Sequence, residues 1–268
     1  MLTSEFLIQA SAVNRGLALP QKRNRTNGLH LPVVPCDNTI TRTEVQSNMV
    51  KASVLQQLKA KEIDVATAAE RLVANPSQIT ELVEALQTEK GSAKYRYEKA
   101  LRLVGESRPE LIYPYWDAFA ALLDHENNFL KWGAILTIAN LTTADAEGRF
   151  DAIFERYYAP IAGPTMITAA NIIGSSPRIA QAKPRLIQRI AKEILKVEDT
   201  QYEHHGSPSP ECRNIAIGHA IDAFDQFFDR IEDKAAVQAF VKRQLNNTRK
   251  QVAKKAERFL RVHNAGGD

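Results

Sequence analysis

Lys94-Tyr-Arg-Tyr-Glu-Lys-Ala-Leu-Arg-Leu-Val-Gly105 and Phe129-Leu-Lys-Trp-Gly-Ala-Ile-Leu-Thr-Ile-Ala-Asn140 are two copies of one segment. Setting Gly105 on Asn140 places basic Arg96 on Lys131. It also places apolar Ala100, Leu101, Leu103 and Val104 on Ile135, Leu136, Ile138 and Ala139. The same frame fits Pro164–Gly174, Cys212–Asp222 and Arg249–Arg258. The anchor positions 105, 140, 174, 222 and 258 are 35, 34, 48 and 36 residues apart, a period that signals stacked supersecondary units. The long step holds Asp199–Pro210, a stretch of Gly, Ser, Pro and His that reads as a loop.

Each copy follows another amphipathic stretch: Ile79–Leu86, Leu111–Leu123, Phe150–Tyr158, Leu186–Leu195 and Ala236–Leu245. The unit is therefore a pair of helices. Neither helix can bury its apolar stripe alone, so neighbouring pairs must stack to form a continuous core. Lys51–Ala60 and Val65–Ala74 form a first pair, with Asp64 placed to cap the second helix. Pro76, Pro109, Pro164, Pro184 and Pro210 stand near helix starts, where a missing N–H costs little. No stretch alternates with period 2, so no strands are expected.

The chain has 268 residues, 44% hydrophobic and 25% charged. No apolar run reaches the ~18 residues of a membrane-spanning helix. Two cysteines, Cys36 and Cys212, exclude a disulfide framework. The net charge of +4 is unevenly spread. Residues 111–176 carry 3 basic and 7 acidic side chains, whereas residues 246–268 carry 6 basic and 2 acidic. The acidic middle argues against one continuous nucleic-acid-binding stripe.

The apolar frame of residues 76–263, with a basic residue near the start of most copies, resembles HEAT or armadillo-type helical repeats, including a bacterial HEAT-like repeat family. The resemblance implies an all-α, right-handed α-α superhelix whose second helices line a concave, protein-binding face. The expected organisation is an irregular, poorly ordered extension over 1–48, a capping pair over 49–75, repeats over 76–263 and a disordered tail over 264–268. HEAT families carry an Asp before the second helix, which Asp124 matches.

On that implied geometry, two polar columns face the groove. One is Arg102, Thr137, Asn171, His219 and Lys255, and the other includes Asn140 and Asp222. Arg102, Thr137, Asn140, Asn171, His219 and Asp222 are thus the candidate binding residues. The column Arg96, Lys131, Arg213 and Arg249 is expected to be a structural ladder whose charges reach carboxylates or helix ends of the next repeat.

Strong catalytic signatures do not occur: no phosphate loop, nucleophile elbow, HExxH or CxxC is present. Glu203, His204, His205, Glu211, Cys212 and His219 are the densest group of metal-ligand types, but their spacing matches no standard site. His125-Glu126 is a single His-Glu pair, too few for the di-iron set of the HEAT-like deoxyhypusine hydroxylases. Trp116, Asp117 and Trp132 are the residue types used by the HEAT-like alkylpurine DNA glycosylases, yet both tryptophans fit better between helices. The expectation is a cytoplasmic, non-catalytic scaffold or adaptor without cofactor or metal, binding another protein and not a membrane. The alternatives are nucleic-acid binding through Arg249, Lys250, Lys254, Lys255, Arg258 and Arg261, or a subunit of a HEAT-like enzyme such as a bilin lyase.

Overall fold

The computed structural model describes residues 52–264. The expected extension over 1–48 and the tail beyond Asn264 lie outside the described residues. Asn264, expected in the tail, is instead the last residue of a helix.

Among the described residues, six helical pairs follow one another. They are α1 (Val54–Ala60) with α2 (Val65–Ala74), α3 (Ile79–Thr88) with α4 (Ala93–Ser107), and α5 (Pro109–Ile112) and α6 (Trp116–Leu122) with α7 (Asn128–Leu141). Then come α8 (Arg149–Tyr158) with α9 (Met166–Ala182), α10 (Ile187–Leu195) with α11 (Pro210–Phe227), and α12 (Lys234–Arg243) with α13 (Lys250–Asn264). The caps follow from local chemistry. The Asp64 carboxylate accepts from the N–H groups of Ala66 and Thr67, each at 2.9 Å, and Pro76, Pro109, Pro184 and Pro210 open helical turns. The N-cap of α7 is Asn127, not Asp124. Asp124 instead pairs with Arg156 of the next pair.

Two features depart from the sequence reading. Pro177 lies inside α9, where the ladder of backbone hydrogen bonds is supplemented by Ser175 and Ser176 donating to the carbonyls of Asn171 and Ile172. The 199–210 segment contains a short antiparallel hairpin, β1 (Glu203–His204) with β2 (Ser207–Pro208), where no strand was expected. Its turn takes His205 and Gly206 to φ of 51° and 76°, and two residues per strand are too few for a period of 2 to show. The hairpin is tied down by buried Tyr202, whose hydroxyl donates to the Ile161 carbonyl at 2.7 Å.

The second helices α2, α4, α7, α9, α11 and α13 lie directly against one another in sequence order, while the first helices touch one another little. Frame residues Ala100, Leu101, Val104, Ile135, Ile138, Ala139, Ile172, Ile173, Ala220 and Ile221 are all buried. Burying a Leu- or Ile-sized side chain stabilises by roughly 1.5–3 kcal/mol, so this frame dominates the packing energy. The stack is an all-α helical repeat of the armadillo/HEAT kind.

Ion pairs join successive first-helix units: Arg149 with Asp117, Arg156 with Asp124, Arg185 with Asp151, Arg189 with Glu155, and Arg243 with Glu198. In every case the cation comes from the later unit.

One buried polar centre crosses the middle of the stack. The Asp145 side chain is fully buried and accepts from Tyr113 Oη at 2.8 Å and from the N–H groups of Arg149 and Phe150 at 2.8 and 3.1 Å. Lys183 Nζ lies 3.0 Å from the same carboxylate and also donates to the Asp145 carbonyl. Burial alone would raise the pKa of Asp145, but these donors outweigh it and hold the group below the ordinary carboxylate range.

Asp145→Asn is expected to cost about 3–5 kcal/mol, because it leaves the Lys183 charge buried and unmatched. Since the folded-state pKa is depressed, the Asp145 contribution is present above the unfolded value of 3.8 and is lost as pH falls through the folded one. Urea unfolding should therefore show a large gap between wild type and variant at pH 7 that narrows below about pH 4.

Candidate binding face

The solvent side of the second-helix layer is a set of stripes at helical spacing. Ile167, Asn171, Gly174, Arg178 and Gln181 are partly or fully exposed along α9, and Ile215, His219, Asp222 and Gln226 along α11. On α4 the stripe is Tyr95, Lys99, Arg102 and Glu106. On α7 it narrows to exposed Phe129 and half-buried Leu136.

The candidate residues fall into two groups. Arg102 lies on α4 and Thr137 on α7, two helices that pack together. Arg102 Nε is 3.4 Å from Glu98 Oε1, and Thr137 is 0% exposed. His219 and Asp222 meet Lys255 at the α11–α13 contact, where Lys255 Nζ pairs with the Asp222 carboxylate and donates to the Gly218 carbonyl at 3.2 Å. His219 is pushed below the ordinary histidine value by burial and by the neighbouring Lys255 charge, against the opposing pull of Asp222. Asn171 is half-buried, and its Nδ2 donates to the Ile167 carbonyl at 2.8 Å in its own helix.

The expectation that both columns face open solvent needs correction. Thr137 and Asn140 are buried, because α7 is apolar on nearly every side and its flanks are covered by α4 and α9. Gly174, from the second column, is the open position. A Cβ built on it meets nothing within 4 Å.

The basic ladder also differs from expectation in direction. Arg96 Nη2 donates to the Lys59 carbonyl at 2.9 Å, and Arg249 pairs with Glu211, so both reach back to the preceding pair and not forward to the next. Lys131 is half-buried and Arg213 exposed, and neither forms an ion pair among the described residues.

Other sequence candidates resolve locally. Trp116 is buried and sits edge-on to Tyr113, while buried Trp132 donates Nε1–H to Thr168 Oγ1 at 3.0 Å. The rings of His204 and His205 lie 4.1 Å apart on the exposed hairpin, and Cys212 is buried. Among the described residues no group of three or more His, Cys, Asp or Glu is placed to hold a metal ion, and no helix is long and apolar enough to cross a membrane. Of the six cations considered for nucleic acid, Arg249, Lys255 and Arg258 are paired with Glu211, Asp222 and Asp225 of α11, which leaves Lys250, Lys254 and Arg261 exposed on α13.

Two residues missed by the sequence reading matter most. Glu98 is a buried carboxylate, and it packs on Gly133 so closely that a methyl group there would overlap it. The repeat frame held the signal, since the next copies place Gly133, Ile167 and Ile215 where Glu98 stands. Burial raises Glu98 to about 7, and the opposing attraction of Arg102 only limits the rise.

A raised carboxyl pKa makes this part of the fold more stable when the proton is bound. Its stabilising contribution is full below the unfolded value of 4.5 and is lost as pH rises towards about 7. Glu98→Gln, which keeps the shape without the titration, is expected to remove a pH-dependent loss on the order of 3 kcal/mol. Denaturant unfolding at pH 5 and pH 8 checks this. The variant should gain on wild type as pH rises.

No protein family and no curated protein matches the chain. Among solved structures, a designed armadillo repeat protein in complex with the peptide (KR)4 is similar at 17% identity and a TM-score of 0.49, over 84% of this chain and 95% of that one. A second designed armadillo repeat protein is similar at 16% identity and a TM-score of 0.48, over 84% and 95%. An engineered protein is similar at 16% identity and a TM-score of 0.47, over 82% and 94%. The repeat architecture of this chain rests on its own stacked pairs, and these three proteins are what it is similar to.

Proposed function

We propose that the chain is a non-catalytic helical-repeat scaffold or adaptor that holds another protein against the face built by its second helices. The observation that carries this reading is the direct packing of successive second helices. Of α4, α7, α9 and α11, three present polar stripes to solvent, while α7 between them presents Phe129 and Leu136. The direct contact between successive second helices, with few contacts between first helices, supports reading their side as the inner, concave one. Extended concave surfaces of this type are how stacked repeats engage partners. The face is chemically mixed, with apolar Leu136 and Ile215, charged Arg102, Arg178 and Asp222, and polar Asn171 and His219. That composition suits a polypeptide segment, whose backbone and side chains present both kinds of surface. The nucleic-acid reading is disfavoured by the pairing of Arg249, Lys255 and Arg258 within the stack.

Gly174 gives a direct test. Gly174→Trp projects a large ring from the open position of the face, where a Cβ meets nothing within 4 Å, and removes the backbone-entropy cost of a helical glycine, roughly 0.5–1 kcal/mol relative to Ala. The chain should enrich binders from a phage-displayed peptide library. Gly174→Trp should lower their capture at least about tenfold, the effect of ~1.4 kcal/mol, with an unchanged or higher Tm. Ala152→Trp, on the exposed side of α8, should leave capture intact. Equal losses in both variants, or no enrichment at all, would contradict the assignment.

A further inference from the structure

The second-helix face turns apolar at α7, and Phe129 is the main cause. It is 43% exposed, and no other Phe, Tyr or Trp among the described residues is exposed. The repeat frame does not require it. The matching positions in the other copies are Lys94, Gly163, Glu211 and Asn247, three polar residues and a glycine. The Phe129 ring lies 5.8 Å from half-buried Tyr95 of α4, inclined at 58°, and 5.5 Å from buried Trp132, inclined at 69°. Tyr95 is itself anchored across the helix boundary, since Nδ2 of Asn127, the N-cap of α7, donates to its hydroxyl at 2.8 Å. A lone exposed apolar side chain is ordinary on a soluble protein. Here two helices instead build a fixed aromatic corner that opens on the face.

The charges around the corner are mostly of one sign. Exposed Lys90 precedes α4, Lys94 adjoins Tyr95, and Lys99 stands one turn beyond Tyr95 on the same side of the helix. None of the three forms an ion pair among the described residues, and Lys99 acts on buried Glu98 only at a distance. Of the nearby acids, Glu89 pairs with Lys59 and Glu98 with Arg102. Exposed Glu126, in the turn before α7, offsets one of the three cations. Lys94 also lies in the first turn of α4, which holds no acid, although the helix dipole favours anions there. Its placement works against the helix and suits an outside anion.

We propose that Phe129 and Tyr95, with Lys94 and Lys99, form an anchor site for one aromatic side chain of an acidic polypeptide segment. The proposal rests on the polypeptide-binding reading above and names the chemistry that the face selects. An incoming ring gains from tilted contact with Phe129, while carboxylates next to it in the segment meet the two lysines. A nucleobase is a poorer occupant. Bases stack flat on open rings, whereas Phe129 is met at an angle by two rings, and Glu126 and Asp222 on the same side of the layer oppose a phosphate chain.

The probes are the blocked peptide Asp-Glu-Phe-Asp-Glu, its counterpart with Ala for Phe, the charge-reversed Lys-Arg-Phe-Lys-Arg, and decathymidylate. Each is titrated into the isotope-labelled full chain while the amide resonances of Tyr95, Lys99 and Phe129 are followed. The acidic aromatic peptide should bind at least about tenfold more tightly than the other three, a gap of ~1.4 kcal/mol, and should weaken with added salt. Phe129→Ala, and separately Lys94→Glu with Lys99→Gln, should each raise its Kd about tenfold. Lys192→Glu, on the exposed side of α10, should leave it unchanged. Lys94→Glu places an acid where the helix dipole favours one, so an unchanged or higher Tm separates lost binding from lost fold. The site is overturned if the acidic aromatic peptide fails to bind, if the Ala or charge-reversed peptide binds as well, or if the variants bind like wild type. Decathymidylate binding more tightly, and lost in Phe129→Ala, would assign the corner to nucleic acid and overturn it too. Failure here beside library capture that Gly174→Trp blocks removes the anchor site and leaves the scaffold reading. Failure of both experiments removes both.

Discussion

The rest of the molecule depends on the burial of one second helix against the next. Each of these helices carries apolar residues on more of its circumference than its own partner helix can cover. Along α7 ten of fourteen residues are buried, including Gly133, Thr137 and Asn140. Such a helix has no stable existence as part of an isolated pair. It becomes soluble only between α4 and α9, and the same holds in weaker form for its neighbours. The apolar frame therefore fixes the order of the stack, and the order of the stack fixes which polar groups meet.

The ion pairs between units act on top of that frame. Exposed pairs contribute little to stability individually, with a median of about 0–1 kcal/mol, so their value here is in direction. Acidic groups on one unit receive cations from the next: Asp117 and Asp124 receive Arg149 and Arg156, and Asp151 and Glu155 receive Arg185 and Arg189. Helix α12, Lys-Ala-Ala-Val-Gln-Ala-Phe-Val-Lys-Arg, contains no acid. It holds no carboxylate of the kind that receives a cation in the preceding units.

Much of this architecture could be read from the chain. Residues spaced 35, 34 and 36 apart in the aligned frame became neighbours in successive helices, and helix starts at Asp64, Pro109 and Pro210 followed local capping rules. The candidate face was legible only in outline. A polar letter in a column says that a side chain can be wet, not that it is. Thr137 and Asn140 are buried because the neighbours of α7 cover it, which no single-helix pattern records. Glu98 escaped notice for the opposite reason. Its neighbours Lys94, Arg96 and Lys99 make the segment look like an ordinary charged surface, and only the glycine at 133 makes room for the carboxylate. The hairpin at 203–208 was hidden by its brevity, and the backward reach of Arg96 and Arg249 by the absence of any direction in an alignment column.

The Asp145 centre changes how the stack would come apart under load. Where each pair touches only its neighbours, a pull on the two ends should peel the molecule one pair at a time, in small and separate force steps. Asp145 ties Tyr113, the start of α8 and Lys183 to one carboxylate, so the third and fourth pairs share a clamp. Those two pairs must yield together, and the middle of the chain becomes its mechanically stiff section.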